Sequence, residues 1–235
     1  MQKHIIAIGG GGFSEKTEPG LDTYVLSQSS SSVPLIGFIG TASGDADSYL
    51  VKFYSRFSEL DCQASHLPLF RPTPDLEKWV AAQDVIYVGG GNTKSMLAVW
   101  RTYGLPDLLR QALSDGTILA GISAGAICWF EWGVTDSEGE ELGPLQGLGY
   151  LPGSCCPHYA KEPQREPAFK EMIDESDIPD GVAIDDGAAI HYVDGEPRSV
   201  VIGRSGASAY IVRKTTRGTQ SARYTSQNIS IQRVF

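Results

Sequence analysis

The sequence predicts an α/β fold: one domain, residues 1–235, built as a three-layer sandwich around a mostly parallel sheet, with an antiparallel C-terminal extension. Two observations predict it. In the first half, short apolar runs alternate with longer amphipathic ones, as strands do with the helices that cross between them. In the second half, short strand-like runs follow one another with glycine turns between them, as in an antiparallel arrangement.

The expected strands of the first half are residues 4–8, 35–39, 65–67, 85–88 and 118–122. Helices are expected over 46–60, 75–83, 93–102 and 105–115. Leu97 and Trp100 share one face of the third helix. Asp75 follows Pro74 and is placed to cap the helix carrying Leu76, Trp79 and Val80. A further helix near 166–174 precedes strands at 181–184, 189–193, 198–202 and 209–213. Gly187, Asp194-Gly195 and Gly203 mark the turns, and the later strands read as an extension of the same sheet. Ile229 and Ile231 alternate in the tail as an edge strand would. No internal repeat or long linker divides the chain, and its 235 residues suffice for a buried core.

Composition narrows the function classes. The net charge is -9, which disfavours nucleic acid and anionic membrane, since both require clustered Lys and Arg. No apolar run reaches the length of a membrane span. The apolar start from His4 to Ile8 is too short for a secretion signal and runs into glycines, so a cytoplasmic location is expected. Cys62, Cys128, Cys155 and Cys156 show no metal-ligand spacing and read as reduced thiols.

The segment Gly121-Ile122-Ser123-Ala124-Gly125-Ala126 follows an apolar strand. Gly-x-Ser-x-Gly in that context is the pattern of a nucleophile elbow. The turn from strand to helix is so tight that the neighbours of the serine must be small, and it lifts the hydroxyl above the strand end. It also aims the amide of Ala124 at the position where an oxyanion forms. Val88-Gly89-Gly90-Gly91-Asn92-Thr93 offers a second set of free amides at a helix start. It lacks the lysine of a phosphate loop, and the cluster at residues 9–12 lacks the third glycine of a dinucleotide fingerprint.

A serine hydroxyl needs a base. Of four histidines, His4 begins the first strand, His66 precedes a proline-rich loop and His191 lies within a strand; His158 enters a loop after an extended run and is the candidate. Asp136, Asp185 and Asp186 compete to orient it. Adjacent strand residues point to opposite faces, so only one of the last two can serve.

Together the glycine cluster, the elbow and Pro157-His158 resemble the peptidase E and cyanophycinase family of serine peptidases, from the first strand to about Ile190. The resemblance implies a sheet similar to that of class I glutamine amidotransferases, with serine in place of cysteine. It implies the order Ser123, His158 and an acid near residue 186, with the oxyanion held by the amides of Gly91 and Ala124. Where the family reads Ile-Asp-Glu-Asp-Thr-Ala, this chain reads Ile184-Asp185-Asp186-Gly187-Ala188-Ala189, so Asp186 stands at the glutamate. Asp185 and Asp136 remain alternatives.

Family members of the peptidase E type release N-terminal aspartate from dipeptides, using an arginine after the histidine; Arg165 is the nearest match, and Asn92 is expected to contact substrate. No metal or organic cofactor is expected. The expected partner is a small peptide substrate, and a homodimer is left open. Two rival readings stand beside this one: an α/β-hydrolase esterase using Ser123, Asp136 and His158, and a non-catalytic module that binds a small ligand or peptide.

Overall fold

The computed structural model describes residues 1–139 and 141–235. Its first half runs β1 (His4–Ile8), α1 (Gly12–Glu15), α2 (Pro19–Ser27), β2 (Leu35–Ile39), α3 (Asp47–Phe57), β3 (Gln63–His66), α4 (Leu76–Ala81), β4 (Val85–Val88), α5 (Thr93–Tyr103), α6 (Leu105–Asp115) and β5 (Ile118–Ile122). The five strands and four of these helices fall where the alternation of the sequence places them, with shifts at the ends. Asp75 caps α4 by accepting from the Lys78 amide at 3.0 Å. Helices α1 and α2 were not legible: α1 has only four residues, and α2 starts at Pro19 after a left-handed Glu18.

The second half runs α7 (Ala124–Ile127), β6 (Phe130–Thr135), β7 (Gly143–Gln146), β8 (Leu151–Cys156), α8 (Arg165–Asp174), β9 (Gly181–Ile184), β10 (Ala188–Val193), β11 (Glu196–Ile202), β12 (Ala209–Arg213), β13 (Gln220–Arg223) and β14 (Ser230–Arg233). One sheet has the order β14-β11-β10-β1-β5-β4-β2-β3. In it β3, β2, β4, β5 and β1 run parallel, and β10 and β11 extend them antiparallel. The turn between β10 and β11 is made by Asp194 and Gly195, both at positive φ, as a two-residue hairpin requires. β14 closes the far edge against β11.

The expectation of one continuous extension is corrected here. β9 and β12 leave the first sheet and join a second, of order β13-β12-β9-β8-β6-β7. They do so because β8 offers β9 a parallel partner and is itself backed by β6; the extended run before His158 is the end of β8, while β6 has no expected strand.

Period-two alternation fixes what each face buries. From β1, Ile6 and Ile8 meet an aromatic cluster of Phe13, Phe38, Phe53, Phe57 and Tyr87 beneath α1–α3. Ile5 and Ala7 face the other way, toward Trp100 and Leu109 of α5 and α6 and toward Leu151 and Cys155 of the second sheet. The neighbour of Cys155, Cys156, points to a third cluster with Phe169 and Ile173 of α8. Phe13 matters to the site. It packs edge-on against Phe38, Phe53, Phe57 and Tyr87, and so anchors the glycine loop that precedes it.

Candidate active site

The parallel strands of both sheets deliver their carboxyl ends to one edge, where loops gather functional groups. β1 leads into Gly9 and Gly10, β4 into Gly89, Gly90 and Gly91, and β5 into Ser123; β8 leads to Pro157 and His158, and β9 to Asp185 and Asp186.

Ser123 has φ 57° and ψ -114°, a conformation that L residues rarely hold without surrounding restraint. The restraint comes from both flanks. A Cβ on Gly121 would lie 2.1 Å from the Gly125 carbonyl oxygen, and one on Gly125 would lie 2.3 Å from that of Val88. The Ser123 amide donates to the Ile8 carbonyl at 3.1 Å, tying the turn to the end of β1.

The second glycine cluster lies alongside. A Cβ on Gly90 would sit 3.6 Å from Ser123 Oγ. The Gly90 amide already donates to the Tyr49 hydroxyl at 3.1 Å. Among the described residues, the Gly91 amide has no acceptor. Gly91 adopts φ 137°, where a Cβ would run into the Ala42 carbonyl. Ala124 is the first residue of α7, so its amide has no intrahelical acceptor.

His158, itself at φ 55°, places Nδ1 2.6 Å from Asp186 Oδ1. Asp186 is 2% exposed. The pair lies directly against the β1 loop: a Cβ on Gly10 would stand 2.2 Å from Asp186 Oδ1 and 2.8 Å from His158 Nδ1. Gly10 is two residues beyond Ile8, the residue that holds the Ser123 amide, so one short loop connects both halves of the constellation. Among the described residues Ser123 Oγ makes no hydrogen bond to His158; such bonds often tighten only when substrate is bound.

The three candidate acids separate cleanly. Asp186 meets His158. Asp185 points the opposite way and accepts from the amides of Ala160 at 3.1 Å and Ser208 at 2.9 Å, bracing the loop that carries His158. Asp136 is exposed in the turn after β6. Burial alone would raise the Asp186 carboxyl, but its contacts with His158 and Lys161 outweigh burial and hold it below its ordinary value. Asp185, with burial as the leading cause, is raised.

Lys161 was missed by sequence reasoning. Its Nζ lies 2.7 Å from Asp186 Oδ2 and 2.8 Å from Glu15 Oε1. Nothing in the sequence marks it, because the pairing requires β8 and β9 to lie side by side. Behind Asp186, Arg204 donates to its backbone carbonyl at 2.8 Å.

Two expected substrate contacts have other partners. Asn92 caps α5, accepting from the Ser95 amide at 2.8 Å and donating to the Ser137 carbonyl at 3.1 Å. Both ends of its side-chain amide are thus in use within the protein. The Arg165 side chain is 6% exposed. It donates from Nε to Glu162 at 2.5 Å and from an Nη to the Val134 carbonyl at 3.1 Å. Arg165 opens α8, whose first turn directs it inward toward β6.

The other histidines stand apart. His4 and His191 bond to each other at 2.9 Å, with His191 also held by Tyr24 at 2.8 Å. His4 pairs with Val193 at the opposite end of β1, and His66 bonds to Tyr54 at 2.7 Å.

Known proteins share this arrangement of chain. "Uncharacterized peptidase YgaJ" of Bacillus subtilis (strain 168) is 51% identical over 212 residues, covering 89% of this chain and 92% of that protein. "Peptidase E" of Haemophilus influenzae is 24% identical over 193 residues, covering 78% of this chain and 87% of that protein. The crystal structure of a peptidase from an acI-B1 Actinobacterium superposes with a TM-score of 0.64 at 18% identity, covering 96% of this chain and 95% of that one, and shares the fold. The protein is therefore a peptidase, a hydrolase on an α/β sandwich. The model of peptidase family S51 matches residues 5–200, and the chain belongs to that family. No helix among the described residues is long and apolar enough to cross a membrane.

Proposed function

We propose that this peptidase uses Ser123 as its nucleophile and cleaves short peptides, including dipeptides with N-terminal aspartate, through an acyl-enzyme. The observation that carries the reading is the conformation of Ser123, held at φ 57° at the mouth of the parallel sheet. A strained serine there is expected at a functional site.

In this mechanism Ser123 Oγ attacks the scissile carbonyl carbon while His158 takes the hydroxyl proton. The amides of Gly91 and Ala124 stabilise the oxyanion; one such donor contributes about 3 kcal/mol in other enzymes. The tetrahedral adduct collapses, the C–N bond breaks, and His158 gives its proton to the leaving amine. Water, deprotonated by His158, then attacks the ester and releases the acid, returning the proton to Ser123. Asp186 keeps the imidazole in the productive tautomer and stabilises its charged form. The 2.6 Å contact of His158 with Asp186 supports that role and favours this order over the esterase order through Asp136.

Preference for an acidic side chain is the finer part of the proposal. Arg165 would bind a substrate carboxylate by exchanging Glu162 for it, a change of partner that keeps the guanidinium paired.

The test is hydrolysis of an Asp-X dipeptide panel by wild type, Ser123→Ala and Arg165→Ala. Wild type is expected to cleave and Ser123→Ala to be inert. Undiminished turnover by Ser123→Ala would sink the nucleophile. A preference for Asp-X that survives in Arg165→Ala would remove the specificity argument alone.

A further inference from the structure

Asp186 is an aspartate where the family resemblance places a longer glutamate, and a buried carboxylate on a short stem needs something to fix its rotation. One of its oxygens is hydrogen-bonded and the other is ion-paired. Oδ1 takes His158 Nδ1 at 2.6 Å, and Oδ2 faces Lys161 Nζ at 2.7 Å. Lys161 is held in turn from two sides. Its ammonium reaches Glu15 of α1 at 2.8 Å. Its backbone follows Ala160, whose amide is pinned to Asp185. The charged groups around the pair are therefore Lys161 and Asp185 from the second sheet, Glu15 from α1, and Glu18 of the α1–α2 turn with its partner Arg204, which bonds the Asp186 carbonyl.

We propose that Lys161 is a positioning residue of the peptidase reaction, clamping the Asp186 carboxylate so that one oxygen stays turned to His158. This rests on the serine-peptidase reading above. The ammonium does not touch the reacting atoms. It acts through Asp186 by holding its rotamer and keeping it ionised, and it places a positive charge within one carboxylate's width of the imidazole. That charge opposes protonation of His158. Removing it must raise the pH at which the base becomes available.

The experiment compares Lys161→Met and Lys161→Arg with wild type in two readouts. The first is the pH profile of kcat and KM on an Asp-X dipeptide. The second is an NMR titration of the His158 ring, which needs no turnover. Lys161 is 50% exposed, so both variants should fold, and a thermal melt verifies it. For Lys161→Met the expectation is a fall of about tenfold in kcat with KM within about twofold, as for loss of orientation. The acid limb and the His158 titration should both move to higher pH than in wild type. Lys161→Arg should recover wild-type kcat to within about threefold, because a cation returns to Oδ2.

An unmoved His158 titration with unchanged kcat in Lys161→Met overturns the proposal. So does a loss expressed in KM alone, which would make Lys161 a substrate ligand. Ser123→Ala assayed in parallel separates the two readings. If it retains turnover, the serine mechanism fails. If it is inert while Lys161→Met is normal, only the role of Lys161 fails.

Discussion

Asp185 and Asp186 sit side by side in sequence and serve opposite sides of the same loop: Asp186 Oδ1 meets His158 at 2.6 Å, while Asp185 accepts the amides of Ala160 and Ser208. Strand alternation produces this division, and the two carboxylates should fail differently when changed. Asp186→Asn should lower kcat by about four orders of magnitude, because an amide favours the wrong imidazole tautomer. Asp185→Asn should act mainly on stability. An amide can accept from one of the two buried N–H donors but turns its own NH2 on the other, at a cost of about 1–3 kcal/mol. Urea melts and kcat measured on both variants distinguish the roles.

Gly91 allows a direct test of the proposed oxyanion site. Its φ of 137° is open to glycine, and an added Cβ would lie 2.2 Å from the Ala42 carbonyl oxygen. Gly91→Ala must shift the backbone that carries this free amide. A fall in kcat of about 100-fold to 1,000-fold is expected, with KM little changed. Unaltered kcat would show that another donor holds the developing charge.

His191 predicts how stability depends on pH. Burial, followed by the neighbouring His4, pushes its pKa from 6.5 down to about 4. The folded state therefore refuses a proton that the unfolded chain accepts. The sign follows: stability is full above the unfolded value, falls as pH drops from 6.5 toward 4, and levels off below the folded value. The loss amounts to about 3 kcal/mol at its limit. His191→Gln, which keeps a polar partner for Tyr24, should flatten this slope. The check is chemical denaturation of both proteins at about pH 5 and about pH 7.

Much of this site was legible because its signals are local. Gly121, Ser123 and Gly125 lie within five positions, and the constraint that selects them acts within one turn. His158 could be chosen because it ends an extended run. Asp186 is set apart from Asp185 in the sequence by its match to the family's glutamate, and the end of β9 supplies the physical reason, with one residue facing each way.

The second sheet was legible only in part, because β9 and β12 fall on expected strands but the sheet they join does not show in the sequence. β6 has Glu131 exposed and Trp132 half-buried in succession and is then buried from Gly133 to Thr135, and β8 opens with Leu-Pro-Gly, so neither shows clean alternation. No local feature separates an arginine facing solvent from one drawn inward, as Arg165 is by Glu162 and a backbone carbonyl. Asn92 carried a readable signal as a helix cap, standing just before the periodic residues of α5. Lys161 carried none.

The central claim is that Ser123 is an activated nucleophile, and intact-mass spectrometry after treatment with a fluorophosphonate tests it most directly. Wild type is predicted to gain one adduct that maps to Ser123, and both Ser123→Ala and His158→Ala should remain unlabelled. An inert wild type, or an adduct on any other residue, would contradict the account.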